Sequence, residues 1–312
     1  MRVAAATLIW VMATSAVIAA PASAPPTSRS SSPAANGTVR TVNGHVIREA
    51  DLETLYLING LDDSQRETYR ESLVDQLIDR ALIEAYLKSM KIVADPVEVE
   101  GRLDYVRRNI EKSGLKTAEV LEKRGLTEST LRQQVALPIA WAMYCRRTLG
   151  PKDVAKHFEE HRAELDGTKV RIRQIVRVIP MASDESRWNS AQAELATLRE
   201  SIAAGKTTAE EAARKLSDSP SRDDGGLVDW FGYDGKMPAS VTVAAFALKP
   251  GELSKPVVSS FGVHLIELLE RRPGQLSAED VRPQILERLS RIRWDETVAS
   301  LRKSATITRP GP

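Results

Sequence analysis

The apolar residues of this chain change their spacing twice, at Lys169 and again near Ser277. Those two switches constrain the fold more than any single motif. Up to about residue 162 the spacing is helical. Leu73, Leu77, Ala81 and Ala85 recur every four residues with Ile78 and Leu82 beside them, a stripe wide enough to face a core. Asp95-Pro96 predicts a helix start, with Asp95 as N-cap, Pro96 at N1 and Glu98 at N3. Its inner face is Leu103, Val106 and Ile110. Thr127 predicts another helix, carrying Leu131, Val135, Trp141 and Tyr144, kinked at Pro138 and stopped by Gly150-Pro151. Ahead of all these, Val39, Thr41-Val42 and Val46-Ile47 flank Asn43-Gly44, a strong hairpin signal.

At Lys169 the period drops to two. Val170, Ile172, Gln174, Val176 and Val178 alternate with Arg171, Arg173, Ile175, Arg177 and Ile179, which predicts a strand. An amphipathic helix over 183–204 follows, then a short helix opened by the capping box Thr208 to Glu211. Gly225-Gly226 precedes a strand over 227–231, Pro238 starts a third short helix to Ala247, and Val257-Val258 and 262–269 read as a closing pair of strands. From Ser277 the helical period returns, with Val281, Ile285, Leu289 and Ile292 on one stripe and Val298 and Leu301 beyond. A lone amphipathic helix cannot bury its own stripe. Its natural partner is the N-terminal helical segment, which makes the alternating middle an insertion. The fold class expected is therefore α+β, a helical domain formed from the N- and C-terminal segments with a small sheet domain inserted.

Composition narrows the function classes. The 312 residues carry 44 Lys and Arg against 42 Asp and Glu, a formal net charge of +2, so no concentrated basic face for nucleic acid is expected. A 42% apolar and 28% charged chain is neither disordered nor a polytopic membrane protein. Cys145 is the single cysteine, so no internal disulfide forms, and its apolar helix makes it a core residue. Arg2, the apolar run Ala4 to Ala20, and Ala22-Ser23-Ala24 have the three parts of a signal peptide over 1–24, with cleavage after Ala19 or Ala20 a second option and an uncleaved anchor helix the competing reading. The Pro-, Ser- and Ala-rich stretch 25–37 reads as a disordered linker. Expected domains are then 38–166, helical; 167–273, the inserted sheet domain; 274–303, the completing helix; and 304–312, a tail.

Within the insertion an ordered set of words recurs: Lys215-Leu-Ser-Asp-Ser-Pro-Ser221, Gly225-Gly226, Asp229-Trp-Phe231, Gly235-Lys-Met-Pro238, Ala244-Ala-Phe-Ala-Leu248, Gly251-Glu252 and Phe261-Gly-Val-His-Leu-Ile266. In order and spacing, residues 170–272 resemble the parvulin family of peptidyl-prolyl isomerases. Val42-Asn-Gly-His-Val-Ile47 with Asp51-Leu52 resembles the entry to the helical domain of exported bacterial parvulin-type chaperones, the SurA and PrsA kind. The resemblance covers about residues 38–303. It implies a four-stranded antiparallel sheet ringed by helices, unfolded or nascent exported polypeptides as partners, a periplasmic or cell-envelope location, and no cofactor or metal.

It also implies a proline pocket. The family's second histidine matches His264, its apolar Met matches Met237, and the Phe of the Ala-Ala-Phe word matches Phe246. Its first histidine falls on Gln174, its Cys or Asp on Ser219, and a further pocket Phe on Val241. Gln174 donates and accepts hydrogen bonds but does not titrate, Ser219 carries no charge, and Val241 removes aromatic surface. An X-Pro bond turns over a barrier of about 20 kcal/mol, and catalysis needs polar groups that favour the twisted amide. The expectation is a client-binding folding factor with weak isomerase turnover; the alternative is a parvulin fold that only docks peptides.

Two motifs compete. His157-Phe-Glu-Glu160-His161 fits H-x-x-E-H, with His157 and His161 as zinc ligands and Glu160 as general base of a protease; against it stands an ordinary charged helix face. Arg171, Arg173 and Arg177 with Arg288, Arg291 and Arg293 suggest nucleic acid, but no stacking aromatics interleave with them, and a solvated sheet face explains the first three.

Overall fold

The computed structural model describes residues 37–309 apart from 113, 124, 125, 182 and 236. The expected signal segment 1–24, and all of the expected linker but Gly37, lie outside the described residues. The chain divides into two compact units: residues up to 150 with those from 286 onward, and residues 151–285.

The first unit opens with β1 (Thr38–Val42) and β2 (His45–Arg48). Asn43 and Gly44 join them at φ of 49° and 83°, the positive-φ pair that a two-residue hairpin loop demands. Then come α1 (Glu49–Ile58), α2 (Arg66–Ser89), α3 (Pro96–Lys112), α4 (Thr117–Lys123) and α5 (Glu128–Thr148). Asp95 caps α3 by accepting from the Val97 N–H at 2.8 Å, and Thr127 caps α5 through Thr130 at 3.1 Å.

The second unit contains α6 (Pro151–Glu160), α7 (Arg162–Leu165), β3 (Lys169–Val178), α8 (Glu185–Ala203), α9 (Ala209–Leu216), β4 (Leu227–Gly232), α10 (Ala239–Ala247), β5 (Val257–Ser259) and β6 (Gly262–Arg272). A 3₁₀ turn, Pro220–Asp224, was not anticipated from periodicity because it is a single short turn. The last helix, α11 (Arg282–Arg302), starts in the second unit and ends in the first, and β7 (Ile307–Thr308) pairs antiparallel with β1. The expected tail therefore carries a strand, and the small sheet runs β2-β1-β7.

Both ends of the sequence build the first unit. Leu286, Leu289, Trp294, Val298 and Leu301 of α11 join Ile83, Leu87, Leu137, Ala140, Trp141, Tyr144 and Cys145 in one core cluster. Inside it the Trp141 indole N–H donates to Ser290 Oγ at 3.0 Å, and the Cys145 thiol donates to the same oxygen at 3.4 Å. Arg302 ties the end of α11 to Asp79 of α2 at 2.5 Å. The stripe differs from the expected one. Ile292 is exposed, and buried Ser290 takes the inward position between Leu286 and Trp294. Hydrophobicity alone selected isoleucine over a serine that two buried donors require.

The second unit is a four-stranded antiparallel sheet in the order β4-β3-β6-β5. Its period-two strands split their side chains between two cores. Ile175, Ile179, Val263 and Leu265 meet Leu195 of α8 and Ala212 and Ala213 of α9 on one face. Val170, Ile172, Ile266 and Leu268 meet Val241, Ala245 and Phe246 of α10 on the other. The strand arginines are matched with acids: Arg171 with Glu270 at 2.9 Å, Arg173 with Glu210 and Glu267 at 2.8 and 3.1 Å, Arg177 with Glu194 at 2.5 Å. These pairs leave no stripe of unneutralised cations on β3.

Candidate functional site

The polar residues of interest lie on the α10 face of the sheet. Gln174 continues the Val170, Ile172 row of β3, and His264 precedes Ile266 and Leu268 in the matching row of β6. The register sets Gln174 opposite Ile266 and His264 opposite Val176, so the two side chains meet on the diagonal. His264 Nδ1 lies 3.2 Å from Gln174 Oε1. From β5, Ser259 Oγ lies 2.6 Å from His264 Nε2 and accepts from the Phe261 N–H at 3.0 Å. All three side chains are buried, His264 to 4% exposure.

The directions of these bonds follow from their partners. Gln174 Oε1 only accepts, so Nδ1 of His264 carries the proton and donates. Nε2 is then the acceptor and takes the Ser259 hydroxyl proton. The reverse arrangement would strand that proton, since Ser259 has no other acceptor among the described residues. Burial pushes the His264 pKa down to about 4, so the ring is neutral near pH 7. The network holds no formal charge.

Backbone approach holds β3 at this point. Gly226 accepts from the Gln174 N–H at 2.8 Å. Its φ is +79°, and a Cβ there would stand 2.3 Å from the Gln174 carbonyl oxygen. The paired glycines therefore let the chain close on β3 where no larger residue fits.

The apolar positions join one cluster. Val241 is fully buried, Phe246 is nearly so, and Met237 packs against the cluster half-buried. Aromatic surface comes from Phe231 and Tyr233, whose rings stand edge-on to Phe246 with centroids 6.4 and 5.1 Å away. Sequence reasoning did not single out Tyr233 or Ser259. The aromatic run Trp230-Phe231-Gly232-Tyr233 was the available signal for the first; a serine at the end of a three-residue strand gave none for the second.

Ser219 is also buried, but its bonds stay in its own turn. It caps the 3₁₀ turn, accepting from the Ser221 N–H at 3.3 Å with the Ser221 hydroxyl 3.1 Å away. Neighbouring Ser217 accepts the Val176 N–H at 3.1 Å and so pins this loop to β3. The structure thus brings Gln174 and His264 into contact and shows no bond from Ser219 to either.

The H-x-x-E-H motif lies on α6 and its end. His157 is buried, and its ring stacks on His161 with centroids 4.5 Å apart. His161 Nδ1 faces Glu164 Oε1 at 2.9 Å, and Glu160 points toward Lys156 at 3.9 Å. Among the described residues no group of three or more His, Cys, Asp or Glu is placed to hold a metal ion.

Comparison with known proteins agrees with this architecture. Residues 175–270 match the rotamase family, described as the PPIC-type PPIASE domain. The chaperone SurA of Cupriavidus metallidurans is 36% identical over 121 residues, which is 38% of this chain and 24% of that protein. A putative peptidyl-prolyl cis-trans isomerase SurA of Haemophilus influenzae is 26% identical over 262 residues, 76% of this chain and 81% of that protein. The foldase protein PrsA of Clostridium kluyveri is 21% identical over 312 residues, 88% of this chain and 89% of that protein.

Proposed function

We propose that this chain, a PPIC-type PPIase domain protein resembling the SurA and PrsA foldases, is an exported folding factor that binds unfolded or nascent polypeptides. Its sheet domain grips proline-containing segments and isomerises them slowly. The segments 1–24 and 25–37 act as signal peptide and linker, and the mature protein works in the periplasm or cell envelope without membrane insertion, cofactor or metal. Among the described residues no helix is long and apolar enough to cross a membrane.

The observation that carries this reading is the uncharged Ser259, His264, Gln174 network on the same face of the sheet as an apolar cluster that includes Met237, Phe246, Phe231 and Tyr233. An apolar wall binds a proline ring whether or not the amide twists. Speeding the twist requires contacts stronger in the transition state than in the ground state. One oriented polar contact of that kind supplies roughly 3–4 kcal/mol, or two to three decades in rate. With Gln174 uncharged and Ser219 bonded inside its own turn, the domain supports binding better than turnover.

The test is an isomerisation assay on a short X-Pro peptide, run beside suppression of client aggregation, with the purified mature chain. Slow turnover with full aggregation suppression is expected, and Gln174→His with Ser219→Asp should raise the isomerisation rate. A fast wild-type rate that collapses in Gln174→Ala while aggregation suppression survives would make the protein a true isomerase and overturn this reading.

A further inference from the structure

The bonds around His264 all run one way. The Phe261 N–H donates to Ser259 Oγ, the Ser259 hydroxyl to His264 Nε2, and His264 Nδ1–H to Gln174 Oε1. Such a series polarises each successive donor. It ends on the Gln174 amide nitrogen. Among the described residues Nε2 of Gln174 meets no acceptor. The residue as a whole keeps 9% exposure, its two N–H groups are left to a ligand, and the carbonyl end that would accept is turned inward and occupied.

The site thus offers a ligand a donor and no acceptor from Gln174, on the sheet face that carries the apolar cluster. Among peptide units, X-Pro alone carries a carbonyl oxygen and no N–H. It satisfies a donor-only contact and leaves no polar group unpaired against Phe246 and Met237, whereas any other peptide unit brings an N–H that needs a partner. We propose that Gln174 Nε2–H donates to the carbonyl oxygen of the residue preceding proline in a bound peptide, with Ser259 and His264 as positioning residues that fix the amide as donor. This rests on the reading of the domain as a binder of proline segments. It also explains slow turnover. Twisting the amide withdraws electron density from that oxygen, so this bond is weaker in the transition state than in the planar amide, and it holds the peptide without speeding its isomerisation.

The probe is a short X-Pro peptide and its thioxo analogue, in which sulfur replaces the oxygen of that one carbonyl and accepts poorly. Binding of both is measured by calorimetry to the full chain and to Gln174→Met. For the wild type the thioxo change should weaken binding about five- to tenfold, the worth of one neutral hydrogen bond. For Gln174→Met it should change nothing, which cancels the steric effect of sulfur. In parallel, the Gln174 side-chain NH₂ resonances of the wild type should move downfield with the oxo peptide and not with the thioxo peptide, a readout that needs no variant. Equal losses in both proteins, or an unmoved amide on saturation with the oxo peptide, overturn the assignment of Gln174. A wild type that binds neither peptide overturns the reading of the domain itself.

Discussion

His264 makes the folded second unit sensitive to acid, and the size of that sensitivity follows from its burial. Desolvation lowers its pKa from 6.5 to about 4. Between those values the unfolded chain binds a proton that the folded chain excludes, so stability rises with pH across the window. The stabilisation is fully present above pH 6.5 and is lost as pH falls toward 4. The slope is about 1.4 kcal/mol per pH unit, giving about 2 kcal/mol between pH 7 and pH 5 and about 3 kcal/mol over the whole window. The physical reason lies in the network: a protonated ring would be a buried cation whose hydrogen-bond partners, among the described residues, are two uncharged side chains. The assay is urea unfolding of the wild type and His264→Gln at pH 7, 6 and 5, followed by the backbone amide NMR signals of β3 and β6, both in the second unit. Carboxylate titration is common to both proteins and cancels, so the difference between them should grow by the slope above. A direct NMR titration of the His264 ring should show no protonation down to pH 5. Parallel pH profiles for the two proteins, or a ring midpoint near 6.5, would refute the reasoning.

Three further outcomes are expected. Ending the chain after Ile285 removes Leu286, Leu289, Trp294, Val298 and Leu301 from the first core; the truncated protein should aggregate, and a monomer of full helicity in light scattering and circular dichroism would contradict the two-ended unit. Gly226→Ala places a Cβ against the Gln174 carbonyl at a positive φ and should cost about 3 kcal/mol in chemical denaturation, with an unchanged midpoint as the opposing result. His157→Ala with His161→Ala should leave zinc content, read by atomic emission, and client protection unchanged; stoichiometric zinc lost in the double variant would revive the protease reading.

Much of the fold was legible because its elements announce themselves by period and punctuation. The β3 alternation placed Gln174 on the same side as Val170 and Ile172, and Thr208 with Glu211 formed the expected capping box. The α11 stripe was read less well. Its inward face is decided by tertiary donors, Trp141 and Cys145, that no local scale includes. β7 was missed because two residues gain strand character only by lying against β1. For the site, resemblance located Gln174, His264 and Ser219 on adjacent elements. It could not say that Ser219 turns to Ser221 while Ser259, from a three-residue strand, takes up the histidine. That choice depends on a backbone N–H two residues on, at Phe261, and is set by the β5–β6 turn.

The pairing of β1 with β7 has a consequence for biosynthesis. Among the described residues the first strand in chain order, Thr38–Val42, pairs with the last, Ile307–Thr308. Residues 151–285 form a unit of their own and are complete in the interval. Whether the chain emerges from the ribosome or on the far side of a membrane, its N-terminal part comes first, and the early helices stay open until that stretch and α11 have followed. For that time the faces of α2 and α5 that α11 will cover stay uncovered, each new copy of this protein passing through the same vulnerable condition as the unfolded chains it is proposed to bind.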